Sequence, residues 1–389
     1  MHLVVNGWFW DQLATGSGQY LHHILHYLPL VGPGHTYTVM VPAPAPSSST
    51  SAASHLAPDT SHFAPIPPPP ATYFVRIPVA RGGDNLAKLW FEQVGFPNAC
   101  RVLKADRALV PYWGSPLRTA CLTAVTVHDL IPLLLPAYRG GLRQRAYTHL
   151  VSQAARQATV VLTDSQASRR DIVQHLAIPA ERVHAVVLAA DERFQRVTES
   201  DGLARVRERY ALPERFILYL GGFDARKNVP RLLRAYGRLV RGWQVNDGPP
   251  NLVIAGTLPA ADTSFTPDPR RIAGAEGIAG HTSFIGWVDE VDKPALYSLA
   301  QAFVFPSLYE GYGLPVAEAA ACGTPVVTSN ISSLPEAAPD AILVDPYSEE
   351  SIAQGIRQAL MHTHITPGDA RRSWQDVARE TLQVLTQIA

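Results

Sequence analysis

Neither sign of charge dominates this chain. Its 33 Lys and Arg are matched by 33 Asp and Glu, so the formal net charge is zero. A nucleic-acid binder normally carries a basic excess, and no such partner is expected here. Cysteine is scarce: Cys100, Cys121 and Cys322 are odd in number and follow no ligand spacing. That argues against a disulfide framework or a zinc site and fits a reducing cytoplasm. No uncharged apolar stretch reaches the ~18 residues that a membrane-spanning helix needs. The N-terminal MHLVVNGWFWDQ has no basic segment ahead of a long apolar core, so no secretory leader is expected. No internal repeat of about 20–50 residues is visible. What is present is an ordinary globular balance, 47 % apolar and 17 % charged. At 389 residues the chain is long for one core, and two domains are expected.

The most informative stretch is 302–326, AFVFPSLYEGYGLPVAEAAACGTPV. Ala302 to Phe305 is an apolar run of strand length. A polar loop follows with Glu310, Gly311, Tyr312 and Gly313, and Leu314 leads into Pro315. Proline suits a first helical position, because its φ is preset and no amide is lost there. Val316 to Cys322 is rich in alanine, Gly323 is a natural helix stop and Pro325 prevents continuation. The reading is strand, glycine loop, short helix, next strand. Glycines let the backbone approach a ligand closely. The helix start leaves unpaired amides with partial positive charge. Gly311, Tyr312, Gly313 and Leu314 therefore form an anion site suited to a diphosphate. Glu310 and Glu318 can accept hydrogen bonds from hydroxyls, which suits a sugar on one side and a ribose on the other. Taken alone, two glutamates at this spacing also describe a solvated helix face.

The whole string is more specific. Glu310-GYGLPVA-Glu318, then ACGTPVVTS, then Ser332 to Glu336 (SSLPE), resembles the signature of retaining GT-B glycosyltransferases of family four, the glycosyl transferases group 1. It is similar in particular to the bacterial mannosyltransferase-like members. The resemblance implies an α/β GT-B fold, two Rossmann-like doubly wound domains facing each other across a cleft. It implies transfer of a hexose, with mannose favoured, from a nucleoside-diphosphate sugar to a small-molecule sugar, glycan or lipid-linked acceptor. GDP-mannose is favoured over a UDP-sugar as donor, and neither a cofactor nor a metal is expected. The competing readings are a UDP-glucose-type glucosyltransferase, a GT-B sugar epimerase and, from another class, an inactive glycosyltransferase-like scaffold.

In the N-terminal half, Leu3 to Val5 reads as a first buried strand. Thr15-Gly-Ser-Gly18 reads as a loop before a helix with Tyr20, Leu21, Ile24, Leu25 and Leu28 on one face. As a dinucleotide fingerprint it fails: Leu21 holds the third glycine position, and no acidic residue stands about 20 residues on. That weakens a nicotinamide dehydrogenase and leaves a plain tight turn beside a phosphate loop; the family resemblance would set Gly16 and Gly18 at the donor phosphate. Residues 42–70, rich in Pro, Ser and Ala, cannot offset their ordering entropy and are expected to form a long surface loop, polyproline II at Pro67 to Pro70. Residues 73–79 read as a strand, and 85–93 as a helix with Leu86, Leu89 and Trp90 inward. The run 121–131 ends in His128-Asp129, where α/β sheets bind ligands, although a capped turn with a buried histidine has the same appearance. The resemblance implies His128 close to the donor sugar, with Asp129 as its orienter. Residues 139–157 read as a helix with Arg139, Arg143, Arg145 and Arg156. Such charges usually mark a solvated face, and they can also lie on an anionic membrane, so peripheral membrane contact at the inner face is carried as a minor expectation. Ser165 can cap the next helix.

From Phe216 a second strand–helix series begins, with FILYLGG, NLVIAG, TSFIGWV, AFVFPS, PVVTS and AILVDP as strands. This alternation implies a doubly wound parallel sheet. Arg226 and Lys227 follow its first strand; they can neutralise a diphosphate, the arginine as a fork and the lysine as a point charge, or decorate a surface turn. The resemblance favours Lys227. It also places Trp287 and Val288 at the nucleobase through backbone groups, with a core tryptophan as the equal alternative. Ser333-Leu-Pro-Glu336 reads as a capping box. The expected division is 1–190, a linker into 191–370, and a helix over 371–389 that returns to the N-terminal domain.

Overall fold

The strand–helix alternation read from the sequence forms two parallel sheets in a computed structural model that describes residues 1–13, 15–43, 72–78, 84–245, 248–361 and 372–387. The expected Pro/Ser/Ala loop, from residue 44 to 70, lies outside the described residues. The chain divides into unit 1, Met1–Val187 with Trp374–Ala389, and unit 2, Leu188–Ser373.

Unit 1 holds strands β1 (His2–Asn6), β2 (Thr36–Pro42), β3 (Thr72–Ile77), β4 (Arg107–Val110), β5 (Leu122–Thr126), β6 (Val160–Thr163) and β7 (Val183–Ala185). Its helices are α1 (Gly16–Val31), α2 (Asp84–Trp90), α3 (Phe96–Val102), α4 (Ile131–Leu134), α5 (Leu142–Gln157) and α6 (Gln166–Leu176). Unit 2 holds β8 (Phe216–Leu220), β9 (Asn251–Ala255), β10 (Thr282–Gly286), β11 (Ala302–Phe305), β12 (Val326–Ser329) and β13 (Ile342–Val344). Its helices are α7 (Ser200–Arg209), α8 (Val229–Arg241), α9 (Pro269–Ala275), α10 (Lys293–Leu299), α11 (Leu314–Ala321), α12 (Leu334–Ala337) and α13 (Glu349–Met361). The final helix, α14 (Trp374–Gln387), belongs to unit 1 and packs along α1.

Both sheets are doubly wound. The order in unit 1 is β3-β2-β1-β4-β5-β6-β7, and in unit 2 it is β10-β9-β8-β11-β12-β13. In each, the winding reverses once, between β1 and β4 or between β8 and β11. Strands of this kind are covered on both faces, so they read as continuous apolar runs. All four residues of β11, for example, are buried. The crevice beyond the carboxyl ends at the reversal is where open α/β sheets take ligands.

Two local expectations are corrected. Gly16 and Gly18 are not in a loop before α1 but in its first turn, with Thr15 as N-cap accepting from the Gly18 amide at 3.0 Å. A Cβ on Gly18 would stand 2.1 Å from the Gln12 carbonyl oxygen, so that glycine is required by the turn packed beneath it. Leu86 is exposed rather than inward, at 64 %. The helix that carries it passes through a single π turn, Phe91–Gly95, before α3, and the inward stripe falls on Ala87, Phe91, Phe96 and Cys100 instead. No described helix is long and apolar enough to cross a membrane.

Helix α14 is held by burial of its apolar stripe, Trp374, Val377, Ala378 and Leu385. The Trp374 indole stacks on His23 of α1 with centroids 4.4 Å apart and meets Tyr20 at 6.0 Å. Removing a buried aromatic of this size costs about 3–5 kcal/mol. Trp374→Ala should lower the urea midpoint of the transition that reports unit 1 accordingly. An unchanged midpoint would show that α14 is not part of that core.

Candidate active site

The winding reversal of unit 2 carries a cluster of paired charges. The turn after β8 is a single 3-10 turn, Ala225–Lys227, and Asn228 follows in the left-handed region at φ 61°. The Asn228 amide donates to the carbonyls of Pro306 at 3.0 Å and Pro346 at 2.7 Å. This ties the β8 turn to the chain leaving β11 and β13. The same turn delivers two cations to the loop after β11. Lys227 Nζ lies 2.7 Å from Glu310 Oε1, and Arg226 Nη1 lies 2.6 Å from Glu310 Oε2. Arg226 also pairs with Asp224 at 3.2 Å. Ser307 Oγ donates to the same carboxylate at 2.7 Å. Burial alone would raise the Glu310 carboxyl, but Lys227 and then Arg226 outweigh it and hold it below the ordinary glutamate value. Glu310 is therefore ionised at neutral pH. The charges of Asp224, Arg226, Lys227 and Glu310 cancel, so the cluster offers oriented donors and acceptors without a net charge.

The loop from Glu310 into α11 is fixed by its backbone. Gly313 sits at φ 108°, and a Cβ there would stand 2.8 Å from Leu334 Cδ2. Only glycine is comfortable on both counts. The helix starts at Leu314 with Pro315 in its first turn, and ends at Cys322 with Gly323 at φ 74°. Ser332 and Ser333 brace the loop from the β12 side. The Glu310 amide donates to Ser332 Oγ at 3.1 Å, while Ser333 Oγ donates to the carbonyls of Glu310 at 2.9 Å and Tyr312 at 2.8 Å. The capping-box reading of Ser333 is thus corrected: its hydroxyl does not cap α12, because the loop carbonyls claim it. Sequence reasoning missed these serines as loop supports; their signal is their place after β12, beside β11.

Glu318 is buried inside α11 and accepts from the Tyr297 hydroxyl at 2.9 Å. Burial is the main cause that raises its carboxyl above the ordinary value, with Lys293 acting against it. The two glutamates of the motif are therefore tuned in opposite directions. Trp287 and Val288 follow edge strand β10, two strands from β8. Val288 is buried, but Trp287 is 46 % exposed, which rules out the core-tryptophan alternative.

The remaining candidates lie in unit 1. His128 follows β5, and its Nδ1 stands 2.7 Å from Asp164 Oδ2. Its Nε2 is 3.2 Å from the Pro111 carbonyl. The expected orienter, Asp129, is corrected to Asp164; Asp129 Oδ1 instead accepts from the Ile131 amide at 2.9 Å and shapes the turn into α4. Strand register gives the reason. Thr126 of β5 pairs with Leu162 of β6, so the residues two places on, His128 and Asp164, emerge side by side. The Tyr20 ring of α1 meets His128 with centroids 4.9 Å apart, which brings the helix of Gly16 and Gly18 to the same end of the sheet. Burial would lower the imidazole, but the Asp164 carboxylate outweighs it and the net shift is upward. A raised histidine adds stability that is full below its unfolded pKa and is lost as pH rises through the folded value. Asp164→Asn should bring the His128 titration, followed by NMR, below the ordinary imidazole value and remove that acid-side gain. An unshifted titration would refute the pairing.

Comparison with known proteins adds a lineage to this geometry. Residues 204–381 match the family model described as glycosyl transferases group 1. The O-antigen chain mannosyltransferase B of Escherichia coli is 32 % identical over 269 residues, which cover 65 % of this chain and 62 % of that protein. The serotype-specific mannosyltransferase WbdA of Escherichia coli is 28 % identical over 291 residues, 72 % of this chain and 34 % of that protein. The chain thus spans less than two thirds of the length of these curated relatives. Anabaena HepE, solved in complex with UDP and glucose, shares the fold with a TM-score of 0.70 at 15 % identity, over 99 % of both chains. The fold is GT-B, and residues 204–381 are similar to the glycosyl transferases group 1.

Proposed function

We propose that this chain is a retaining hexosyltransferase that uses a nucleoside-diphosphate sugar, with GDP-mannose favoured and a sugar, glycan or lipid-linked acceptor. The observation that carries the reading is the pairing of Arg226 and Lys227 with Glu310 beside the start of α11, at the winding reversal of unit 2. A diphosphate there would meet the first-turn amides of α11 and the two cations. Glu310, kept ionised, would accept from hydroxyls of the donor sugar, and Glu318 from the ribose. His128 is assigned to the donor sugar by family resemblance. Mannose is favoured because the two curated relatives described above are mannosyltransferases. A cytoplasmic setting is part of this proposal.

In the step itself, the bond from the anomeric carbon to the leaving diphosphate oxygen breaks. The acceptor hydroxyl oxygen bonds to that carbon on the same face, and its proton passes to the departing diphosphate. The protein's share is positioning and stabilisation of the charge that develops on the leaving group.

Binding is tested first, by thermal shift with GDP, UDP, ADP and their sugar conjugates. A ligand at 100 times its Kd stabilises by about 2.7 kcal/mol. A response to one nucleoside diphosphate and its sugar is expected; silence to all of them in folded protein would favour the scaffold reading. With the donor known, Lys227→Ala should lower turnover by about 10²–10³-fold, as loss of one charge-stabilising donor does elsewhere. Normal turnover would remove the diphosphate assignment.

Glu318 supplies a pH test. Its carboxyl is raised, so donor affinity should weaken on acidification at a pH above the ordinary glutamate range. Glu318→Gln should bind donor more weakly and without that pH dependence. A group raised on folding stabilises the fold below its unfolded pKa and loses that contribution as pH rises through the folded one. The glutamine variant should therefore be no less stable than the parent at neutral pH, and a fall in its Tm would contradict the burial cost assigned to Glu318.

A further inference from the structure

From Leu130 to Thr163 the sequence holds four arginines, Arg139, Arg143, Arg145 and Arg156, and no Asp or Glu. In a chain of zero net charge this is a local excess. Unit 1 folds three of the four around one cavity of about 410 Å³ between α4, α5 and α6. Arg145, His149, Ser152 and Arg156 reach it from a single stripe of α5, at helical spacing. Arg139 enters from the segment ahead of α5, and His175 from the end of α6. None of the candidate active-site residues lines it.

Two of these guanidinium groups are held through Nε. Arg156 Nε donates to the Leu176 carbonyl at 2.7 Å, and Arg145 Nε to the Gly140 carbonyl at 3.2 Å. Among the described residues no carboxylate pairs with Arg139, Arg145 or Arg156. Some other arginines of the molecule are paired instead. Arg193 meets Glu290 at 2.9 Å, Arg238 meets Glu349 at 2.9 Å and Arg270 meets Asp268 at 2.7 Å. Like charges gathered around a concave space repel one another unless an anion joins them. Guanidinium forks match carboxylate and phosphate oxygens alike, and a phosphate monoester brings more charge and more acceptor oxygens to three arginines than a carboxylate does. The volume is that of a small-ligand pocket and holds a phosphate with part of the group that bears it.

We propose that this cavity is a binding site for the phosphate group of an anionic ligand, a phosphomonoester or phosphodiester, held by Arg139, Arg145 and Arg156 with His149 and His175 beside them. The site belongs to unit 1 alone and does not depend on the transferase reading.

The test uses the full chain at low ionic strength. Inorganic phosphate is titrated by calorimetry into the parent, into the Arg139→Gln/Arg145→Gln double variant and into Arg143→Gln. Arg143 is on the same helix but outside the cavity, so it controls for general charge. Arg156 is left in place because it supports the Leu176 carbonyl. The parent and Arg143→Gln should bind alike, and the double variant at least tenfold more weakly with an unchanged circular dichroism spectrum. Sedimentation with phosphatidylglycerol vesicles, against phosphatidylcholine vesicles, distinguishes the source. Vesicle binding that the double variant loses and phosphate competes identifies a lipid headgroup; phosphate binding without it identifies a soluble phosphate ester. Either supports the site. Equal binding in parent and double variant, equal weakening by Arg143→Gln, or no binding of phosphate or vesicles at all would overturn it.

Discussion

A buried carboxylate is costly unless it is paired and hydrogen-bonded, and Glu310 is both. Much of the carboxyl-end architecture of unit 2 follows from satisfying it. Its partners come from a different strand, so the β8 turn must deliver Arg226 and Lys227 to the loop after β11. Asn228 holds that turn in place through carbonyls beyond β11 and β13. Ser307, Ser332 and Ser333 then fix the loop on which the carboxylate rides. Removing either cation would leave the other in contact, but removing Glu310 would take the shared carboxylate from both at once. The loop at the start of α11 thus combines one shared charge with the backbone and serine contacts that hold it.

The parts of this fold that were legible in the sequence share a physical basis. Strands covered on both faces read as short apolar runs, and all six expected in unit 2 are present. The loop and helix from Glu310 to Gly323 were legible because each position there has a backbone reason for its residue: φ at Gly313, a preset helix start at Pro315, a left-handed stop at Gly323. Part of what was not legible depended on partners distant in sequence, and part on local turns. The Ser333 hydroxyl has a local use as a cap and a nonlocal one on the loop carbonyls, and the nonlocal one prevails. Leu86 was placed inward by a period that a single π turn then shifts. Gly18 suggested a ligand loop, whereas its stated need is the carbonyl of Gln12.

The Asp129 error is instructive because a sharper rule was available. In a parallel sheet, residues equally far beyond a register pair emerge together, whatever their separation along the chain. His128 and Asp164 meet that condition across β5 and β6; Asp129, the sequence neighbour, points to its own turn. Arg226 and Lys227 reach Glu310 without that equal spacing, because β8 and β11 are adjacent although more than 80 residues separate the pairs. Spacing along the chain finds motifs, but only strand order finds the partners of their charges.

That distinction explains why two glutamates of one motif come to differ. Glu310 follows a strand that borders β8, so cations reach it and its carboxyl is held down. Glu318 is within α11, under Tyr297 of α10, where among the described residues a phenol donates to it and no cation pairs with it, and burial pushes its carboxyl up. A carboxylate kept ionised by fixed partners is suited to steady orientation of hydroxyls. One left poorly compensated in a buried position gains most when further hydrogen-bond donors arrive. On the proposed reading, the motif combines a preorganised acceptor with one that a ligand would satisfy more fully. This division of labour follows from the strand order of unit 2, and neither glutamate could take the other's role by a change at its own position.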